Sequence, residues 1–573
     1  MVDSRQTIFL AWEESHAAYF EQHDACRGAH YFPVNQKAAA AWLALGKSLS
    51  LSPFWELYRQ IDLELADRAA DRYAAAWHGE VHLETNSARA WLWAREAAFL
   101  RQLLATLERR CGVPSYLVPR AKFFRPTNWH NANCAALAVM ESHAVDGASI
   151  KCLDLPEMPT HSTPIPSSPL IAPAEKWLLF SAFAIPDLAH HLARLLFEGR
   201  WSIRLLLDPL DPLPAGIVDA LQTAAGRRLQ LCWLDLHLQA MSPLASPVIG
   251  DRLGQWILAT SHDPASIERQ LISLVAQDGF SGCLVSDHHS AQTLILRRLC
   301  SAMSVPLCVV PHSSWPMDTP FALGGTSSPH EIHLASTRRA AEHIAAHIPV
   351  PLAAHPLPSP RYRPKMVRLL RRLRRWLALS AKPLQIGAII TSGEEISAPD
   401  MALIDIVDSL QTLCQTLRLA PRAVELHVRL RAAEDRQEVL ETLLDTHALS
   451  VFWEKSTQRT PFQFLQDMDL VVEIGTPGSA TLECFAQPVP VLRLGPVDQR
   501  HRAQLLPATL VPCLSADATG SEILQTYLAR RWLRLTLALR QWLYLVTQTL
   551  PESHLPDLLS TRTSRRKFPQ GVR

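Results

Sequence analysis

A segment near the C-terminal third of the chain combines small residues, hydroxyls and a carboxylate, a composition that a protein core does not need. Residues 473–495 read EIGTPGSATLECFAQPVPVLRLG. The pattern predicts a strand over 470–474, a glycine-containing turn over 475–478, and a helix that begins near Ser479. A helix N-terminus behind such a turn offers unpaired N–H groups and the positive end of the helix dipole, which together favour a diphosphate.

Two kinds of side chain in this segment can add contacts to a bound nucleotide. A hydroxyl of Ser479 or Thr481 can donate to a phosphate. Glu483, about one turn further along, can accept hydrogen bonds from ribose hydroxyls. The alternative is that Thr476 to Thr481 only cap a helix behind a tight turn, with Glu483 as a solvated acid in its first turns. The segment alone leaves both interpretations open.

Two further stretches place polar groups on or after predicted strands. TSGEE, at 391–395, offers Gly393 for close backbone approach and Glu394 or its neighbour as a carboxylate, although an exposed turn before a helix has the same composition. In VELHVRLR, His427 and Arg429 alternate with apolar residues, so one face of a strand can present a cation to phosphates. The polar face of a half-buried strand is the alternative.

The elements that position these groups follow from short apolar runs that alternate with helical patterns. KWLLFSAFAI, SIRLLLDPL and PLCVVPHSS are examples between residues 175 and 348, and LQIGAIITSGEE restarts the alternation after residue 380. Continuous apolar strands between helices are typical of parallel sheets covered on both faces. The sequence therefore predicts an α/β fold with two Rossmann-like units whose strand ends face one crevice.

Proline-rich stretches at 155–173 and 351–364 cannot continue a helix or a sheet, so they predict boundaries. Five regions are expected. They are a helix-rich N-terminal region of unknown role with one strand at Thr7 (1–155), a first Rossmann-like unit (174–350), a proline-rich linker with a basic helix (351–380), a second Rossmann-like unit (381–520), and an amphipathic helix with a basic tail (521–573).

Composition excludes several classes of function. The 573 residues include 56 Lys and Arg against 54 Asp and Glu, so no global field attracts a polyanion such as nucleic acid. Eleven scattered cysteines without CxxC pairs fit free thiols in a reducing cytosol better than a disulfide framework or a zinc site. The N-terminus lacks the pattern of a signal peptide, and no window offers the ~20 apolar residues of a membrane span. A cytoplasmic protein is expected.

The stretch GSATLECFAQPVPVL resembles the donor-site segment of GT-B glycosyltransferases and is close to the SGTATLEAALLGxPMVV pattern of lipid A disaccharide synthase. It is also similar to segments of the lipid II-forming transferase and of UDP-GlcNAc 2-epimerases. In those families the small-residue turn meets the donor diphosphate and the glutamate meets the ribose. The resemblance implies donor binding by Gly478, Ser479, Ala480, Thr481 and Glu483. The chemistry of the turn and of the strand-end groups above adds Gly475, Thr476, Gly393, Glu394, His427 and Arg429 as further donor-binding candidates.

Other pieces resemble bacterial surface-polysaccharide transferases of this fold but depart from their pattern. Those enzymes often carry HP or HPxE where this chain has VELHVRLRAAED, and HG where it has PLCVVPHSS. Here Val428 follows His427, and Ser313 follows His312. These departures leave the subfamily and the donor base open.

The resemblance implies that the catalytic base comes from the first Rossmann-like unit, which would face the acceptor. SDHHS, at 286–290, ends a predicted strand with a carboxylate and two imidazoles. Asp287 with His288 is the predicted base that takes the acceptor's hydroxyl proton, and His312 is the second choice. Helix capping by Asp287 is the alternative. The acids and the histidine of AWEESHA, at 11–17, are a weaker candidate.

A basic amphipathic stretch indicates a further partner. Residues 361–379, RYRPKMVRLLRRLRRWLAL, hold eight basic and no acidic residues, with apolar residues near helical spacing and a tryptophan. Such a helix suits an anionic membrane surface. RRWLRLTLALRQWLYLV and the tail TRTSRRKFPQGVR repeat this chemistry. The alternative is that the apolar stripes pack on the two Rossmann-like units.

The expected function is metal-independent transfer of a sugar from a nucleotide-sugar donor, UDP-linked by resemblance, to a cell-surface glycan or its lipid-linked precursor. No cofactor is expected beyond the donor itself, and no nucleic acid is expected as a partner. The second Rossmann-like unit would bind the donor, and the enzyme would lie in the cytoplasm or on the inner face of the cytoplasmic membrane. The alternatives are a UDP-sugar 2-epimerase and a non-catalytic nucleotide-sugar-binding protein.

Overall fold

The structure is a computed structural model that describes about three fifths of the chain. The described residues are 7–34, 36–47, 57, 60–77, 87–112, 114–120, 132–145, 148–155, 175–180, 201–207, 219, 221–223, 226–233, 252–259, 264–277, 280–285, 291–309, 331–335, 337–347, 355–356, 362–377, 382–390, 403–430, 437–444, 446, 449–455, 459–474, 479–495, 506 and 509–549.

The first sheet has four parallel strands in the order β2-β1-β3-β4. Its strands are β1 (Thr7–Ala11), β2 (His30–Pro33), β3 (Ser115–Arg120) and β4 (Ile150–Asp154). The helices of this region are α1 (Glu14–Gln22), α2 (Gln36–Ala44), α3 (Leu63–Ala75), α4 (Ser87–Cys111) and α5 (Ala132–Val145). The sequence predicts one strand here, at Thr7, and the other three strands were not predicted.

The second sheet has seven parallel strands in the order β11-β10-β9-β8-β5-β6-β7. Its strands are β5 (Glu175–Phe180), β6 (Trp201–Leu207), β7 (Leu229–Trp233), β8 (Gly282–Val285), β9 (Leu307–Val309), β10 (Glu331–Ala335) and β11 (His355–Pro356). The helices between them are α6 (Arg252–Ala259), α7 (Pro264–Gln277), α8 (Ala291–Ala302) and α9 (Arg338–His347). The strand order reverses between β5 and β8.

The third sheet has six parallel strands in the order β14-β13-β12-β15-β16-β17. After the basic helix α10 (Met366–Leu377), its strands are β12 (Leu384–Ile390), β13 (Val424–Leu430), β14 (Ser450–Lys455), β15 (Leu470–Ile474), β16 (Val491–Leu494) and β17 (Cys513–Leu514). Its helices are α11 (Leu403–Arg418), α12 (Gln437–Leu443), α13 (Pro461–Asp467), α14 (Ser479–Ala486), α15 (Ala518–Ala529) and α16 (Arg531–Gln548). Here the strand order reverses between β12 and β15.

Parallel sheets with interleaved helices confirm the predicted α/β class. Ligands of open parallel sheets bind beyond the carboxyl ends of the strands where the strand order reverses. The predicted donor segment follows β15 directly, so it comes at the reversal point of the third sheet. The fold therefore favours this end of β15 as a ligand site on topological grounds, independently of any resemblance.

The two faces of the third sheet differ in chemistry. One face is apolar throughout, with Ile386, Val428 and Val472 among its residues, and it joins the core of the first sheet in one continuous hydrophobic cluster. On the other face, Gly387 lets α13 approach closely, because a β-carbon there would lie 3.0 Å from Met468 and 3.1 Å from Phe464. This close approach brings Phe464 to the polar residues described below.

The last helix is anchored by buried polar side chains. Gln541 of α16 accepts from the backbone N–H of Val491 at 3.0 Å and donates to the carbonyls of Val491 and Leu510. Arg534 donates to the carbonyl of Leu528 at 2.7 Å, near the C-terminal end of α15. The side chains of Gln541 and Arg534 therefore hold this amphipathic helix against the rest of the protein. Among the described residues, no helix has the length and apolar character needed to cross a membrane.

Candidate functional site

The predicted strand and helix of the donor segment have the expected bounds. The strand β15 spans Leu470–Ile474, and α14 begins at Ser479. Every residue of β15 is buried, and β16 follows α14 as its parallel neighbour. A helix that follows a buried strand can direct its first N–H groups towards the strand's carboxyl end. The predicted turn, 475–478, lies outside the described residues.

A row of charged side chains crosses the third sheet one residue before its strands end. Strand register pairs Glu454 with Arg429, Arg429 with Ile389, Ile389 with Glu473, and Glu473 with Arg493. Residues paired in a parallel ladder point to the same face, so two acids and two arginines share this face. All four charged residues are buried. This row forms the floor of the candidate site.

Glu473 is bound to the first turns of α14. The hydroxyl oxygen of Thr481 lies 2.7 Å from both carboxylate oxygens of Glu473, and both residues are almost fully buried. A hydroxyl has one proton to donate, so in this structure Thr481 gives it to Glu473. The contact of Thr481 with a donor phosphate remains a prediction. Since the hydroxyl is engaged, the group of Thr481 that can donate to a phosphate is its backbone N–H in the first turn of α14.

Glu483 is not the solvated acid of the alternative interpretation, because only 7% of it is exposed. Its carboxylate lies close enough to Arg429 to act on it electrostatically. The carboxylate of Glu483, the fifth residue of α14, is thus buried near a cation. Its contact with ribose hydroxyls stays a prediction.

Arg429 of β13 contacts Arg459 and Phe464. Its Nη2 donates to the carbonyl of Arg459 at 2.8 Å, and its guanidinium lies over the ring of Phe464, 5.4 Å from the centroid. Burial lowers the pKa of Arg429, while the carboxylates of Glu454 and Glu483 act in the opposite direction. Its Nη1 is buried and has no hydrogen-bond partner within the structure as described. A cation so held can bind an anionic ligand without reorganising.

His427 lies on the same face of β13 as Arg429, two residues earlier in the strand. Its Nε2 lies 2.7 Å from the side-chain oxygen of Gln385, its Nδ1 lies 3.4 Å from Glu454, and its ring stacks on Phe452. Nε2 is thus bound to Gln385, whereas Nδ1 is buried and has no hydrogen-bond partner in the described part of the chain. The role of His427 at a phosphate remains a prediction, and in this structure its ring lies beside Glu454 of the charged row.

The other predicted site residues lie outside the described residues. They are Asp287, His288, His312, Gly393, Glu394, Gly475, Thr476 and Gly478. Ser479 and Ala480 begin α14. Asp287 is the second residue after β8, which borders the reversal point of the second sheet. The proposed base therefore comes, in the chain, directly after the strand end where a ligand of that sheet is expected.

The histidine of AWEESHA is a structural residue. His16 is 1% exposed, its Nδ1 accepts from the backbone N–H of Trp12 at 3.3 Å, and its ring meets those of Phe9 and Trp12 edge-on. Burial lowers the pKa of His16 to about 3. An imidazole with so low a pKa is a poor general base near neutral pH.

The low pKa of His16 predicts acid sensitivity. Unfolding restores an ordinary value of about 6.5, so the unfolded chain binds this proton more readily, and stability falls as pH drops from about 6.5 towards 3. At pH 5 this amounts to about 2 kcal/mol. We expect the Tm of the wild type to fall more between pH 7 and pH 5 than that of His16→Gln, which keeps an acceptor for Trp12. Equal falls by calorimetry would contradict this.

Sequence reasoning missed Glu473 and Arg493. Both interrupt otherwise apolar strands, in LVVEI and VLRL, which precede and follow α14. A charged residue inside a continuous apolar strand is unusual because burial of a charge is costly. That interruption, one residue before the end of each strand, was the available signal.

Comparisons with known proteins find a distant structural likeness. No protein-family model matches the chain, and no curated protein matches it. MurG from Acinetobacter baumannii matches at 12% identity over 68% of this chain and 99% of its own, with a TM-score of 0.39. UDP-GlcNAc 2-epimerase from Neisseria meningitidis, bound to UDP-GlcNAc, matches at 10% identity over 65% and 99%, with a TM-score of 0.39.

A UDP-glucosyltransferase from Polygonum tinctorium, capable of glucosylating indoxyl, matches at 12% identity over 69% of this chain and 100% of its own, with a TM-score of 0.42. The chain is thus distantly similar to glycosyltransferases and to UDP-GlcNAc 2-epimerases. Structural similarity at such low sequence identity does not assign the chain to any of these families. The resemblance of its donor segment to lipid A disaccharide synthase stays a prediction. The function is therefore argued from its own residues.

Proposed function

We propose that the chain is a glycosyltransferase that uses a nucleotide-sugar donor, UDP-linked, and that the donor binds at the start of α14. The observation that carries the proposal is the buried Glu483 beside Arg429, at the strand-to-helix junction where the order of the third sheet reverses. A nucleoside diphosphate needs hydroxyl acceptors for its ribose and N–H donors for its phosphates. This junction supplies both.

The chemistry of transfer follows from that placement. The N–H groups and dipole of α14, with Arg429, stabilise the charge that develops on the departing diphosphate. The predicted base, Asp287 with His288 or else His312, takes the proton of the acceptor hydroxyl as that oxygen attacks the sugar and the diphosphate departs. The acceptor is a cell-surface glycan or its lipid-linked precursor. A UDP-sugar 2-epimerase would use the same donor site without an acceptor.

A thermal-shift screen of UDP-, CMP-, GDP- and dTDP-sugars tests the proposal. A ligand that binds only the native state adds about 2.7 kcal/mol to the free energy of unfolding at 100 times its Kd. The Tm rises accordingly. We expect UDP-sugars to stabilise the protein. No shift with any of the four series at millimolar concentration would overturn the donor assignment. A shift together with 2-epimer formation in the absence of acceptor would favour the epimerase.

The basic helix α10 docks on the protein with one face. Arg372 donates to the carbonyl of Leu465 at 2.8 Å and to that of Met468, and Arg375 donates to the carbonyl of Gln466 at 2.7 Å. These carbonyls lie at the C-terminal end of α13, where helix carbonyls have no partner in their own helix. Trp376 is also buried. This face of α10 therefore packs on the end of α13, and Trp376 is not available to a membrane.

The opposite face of α10 is exposed and both apolar and basic. Met366 is 57% exposed, Leu370 49% and Leu377 80%. Arg371 and Arg374 lie beside them, also exposed, and α10 contains no acidic residue. Apolar side chains flanked by arginines on one helix face match the interface of an anionic bilayer. We infer that this face holds the enzyme peripherally on the inner side of the cytoplasmic membrane, where a lipid-linked acceptor is found.

Substitution of the two exposed arginines tests this docking. Each basic residue near an anionic surface contributes about 1 kcal/mol, so Arg371→Gln with Arg374→Gln should weaken vesicle binding roughly 30-fold at low salt. Donor affinity should not change. Arg101→Gln with Arg298→Gln, two exposed arginines elsewhere, removes the same charge and should bind as the wild type. Wild-type protein that stays in the supernatant with phosphatidylserine vesicles at low salt would remove the membrane claim.

A further inference from the structure

Arg493, the third of the four residues of β16, is a buried cation that lacks hydrogen bonds to the described protein groups. It is 4% exposed, and its Nε and Nη2 have no hydrogen-bond partner within the described structure. Burial of a guanidinium without hydrogen bonds is costly, and each such unsatisfied group needs a physical reason. A bound anion is one such reason.

Other buried arginines of this chain show the contrast. Arg372 and Arg534 are equally buried, and both donate to backbone carbonyls at the ends of helices. Those guanidiniums have evident structural roles as helix caps. Arg493 has no helix end of this kind among its hydrogen-bond partners. Its burial therefore calls for a different explanation.

Strand register places Arg493 beside the first turn of α14. Arg493 pairs with Glu473 on the adjacent strand, about 4.8 Å away, and the carboxylate of Glu473 accepts from Thr481, the third residue of α14. On its other side Arg493 pairs with Cys513 and acts electrostatically on that thiol. Its guanidinium thus lies on the face that α14 covers, near the end of the sheet where this helix starts.

We propose that Arg493 binds a phosphate of the diphosphate held at the N-terminus of α14. A guanidinium offers a planar pair of N–H donors that matches two phosphate oxygens, and such charge-assisted pairs are strong when buried. The helix N–H groups and Arg493 then approach the same anion from two directions. Glu473 holds Thr481 and lies beside Arg493, so it fixes the helix turn and the cation relative to each other. The inference rests on the proposed function for the identity of the diphosphate.

The test compares ligands with and without phosphates. We expect Arg493→Met, which keeps the length but removes the N–H donors, to weaken UDP and inorganic pyrophosphate binding about 30-fold or more by calorimetry. Uridine affinity should change less than about twofold. Arg493→Lys, which keeps the charge without the planar fork, should lie between. Arg534→Lys is the matched control, since it alters an equally buried arginine and should lower the Tm without changing the ratio of UDP to uridine affinity.

The outcomes separate this inference from the proposed function. Wild-type protein that binds pyrophosphate but no nucleotide, with loss of that binding in Arg493→Met, would support the anion site and overturn the nucleotide-sugar proposal. Wild-type protein that binds UDP, with Arg493→Met equally able to bind it, would overturn the role of Arg493 alone. Equal weakening of UDP and uridine would also overturn it, because that result indicates a structural role.

Discussion

Replacement of Asp287 by Asn should lower turnover about 100-fold or more while donor affinity is kept. A general base contributes roughly 10²- to 10⁴-fold to such a transfer, and an amide cannot accept the acceptor's proton at neutral pH. Asp287 is the second residue after β8, and β8 borders the reversal point of the second sheet, where a ligand is expected. The donor is proposed to bind on the third sheet, so its affinity should not depend on Asp287.

The measurements are kcat under saturating donor and acceptor, and donor affinity by calorimetry. His288→Asn in the same experiment shows whether the imidazole orients the carboxylate or is dispensable. Wild-type turnover in Asp287→Asn would exclude it as the base and make His312 the next residue to replace. Loss of donor affinity together with turnover would indicate that Asp287 acts through folding instead.

The third sheet is the part of the fold that the sequence predicts best. The run LVVEI and the small residues after it define β15 and the start of α14, because a fully buried strand must be apolar and the glycines end it. The strands β2 (HYFP) and β3 (SYLVPR) contain prolines, which argue against a strand by local rules. Their burial under the aromatic core of the first region stabilises them, and a local pattern does not record that packing.

The site was predictable only in its local parts. The helix N-terminus and Glu483 follow from one segment, whereas the charged row joins residues of four different strands through register. Register depends on which strands are neighbours, and the sequence does not give this. The proximity of Arg493 to Glu473, and with it a role for Arg493 in the site, is therefore seen only in the structure. The same limit applies to α10. Its pattern shows a basic amphipathic helix, but which face packs is decided by the carbonyls at the C-terminal end of α13 to which Arg372 and Arg375 donate.

Glu483→Gln should weaken the binding of UDP about tenfold to 100-fold, and the loss should be specific to the ribose. A hydrogen bond to a charged acceptor contributes about 1.5–3 kcal/mol, and Gln retains the shape of Glu but accepts less strongly. Glu483 is 7% exposed and acts electrostatically on Arg429, so the proposed acceptor is already withdrawn from bulk water. Wild-type protein should therefore discriminate against a nucleotide that lacks a ribose hydroxyl.

Because Glu483 is buried, its replacement also affects the protein itself, and the readout must separate the two effects. Calorimetry with UDP and with its 2′-deoxy and 3′-deoxy analogues does so: the wild type should prefer UDP over at least one analogue, and Glu483→Gln should lose that preference. Glu454→Gln is the control, since Glu454 is buried on the same face and pairs with Arg459 at 3.1 Å, so its loss should lower the Tm but keep the preference for ribose. If Glu483→Gln weakened UDP and both analogues by the same factor, the residue would act through Arg429 and the packing of α14, and the ribose contact would have to be sought among residues 391–395, which follow β12 in the sequence.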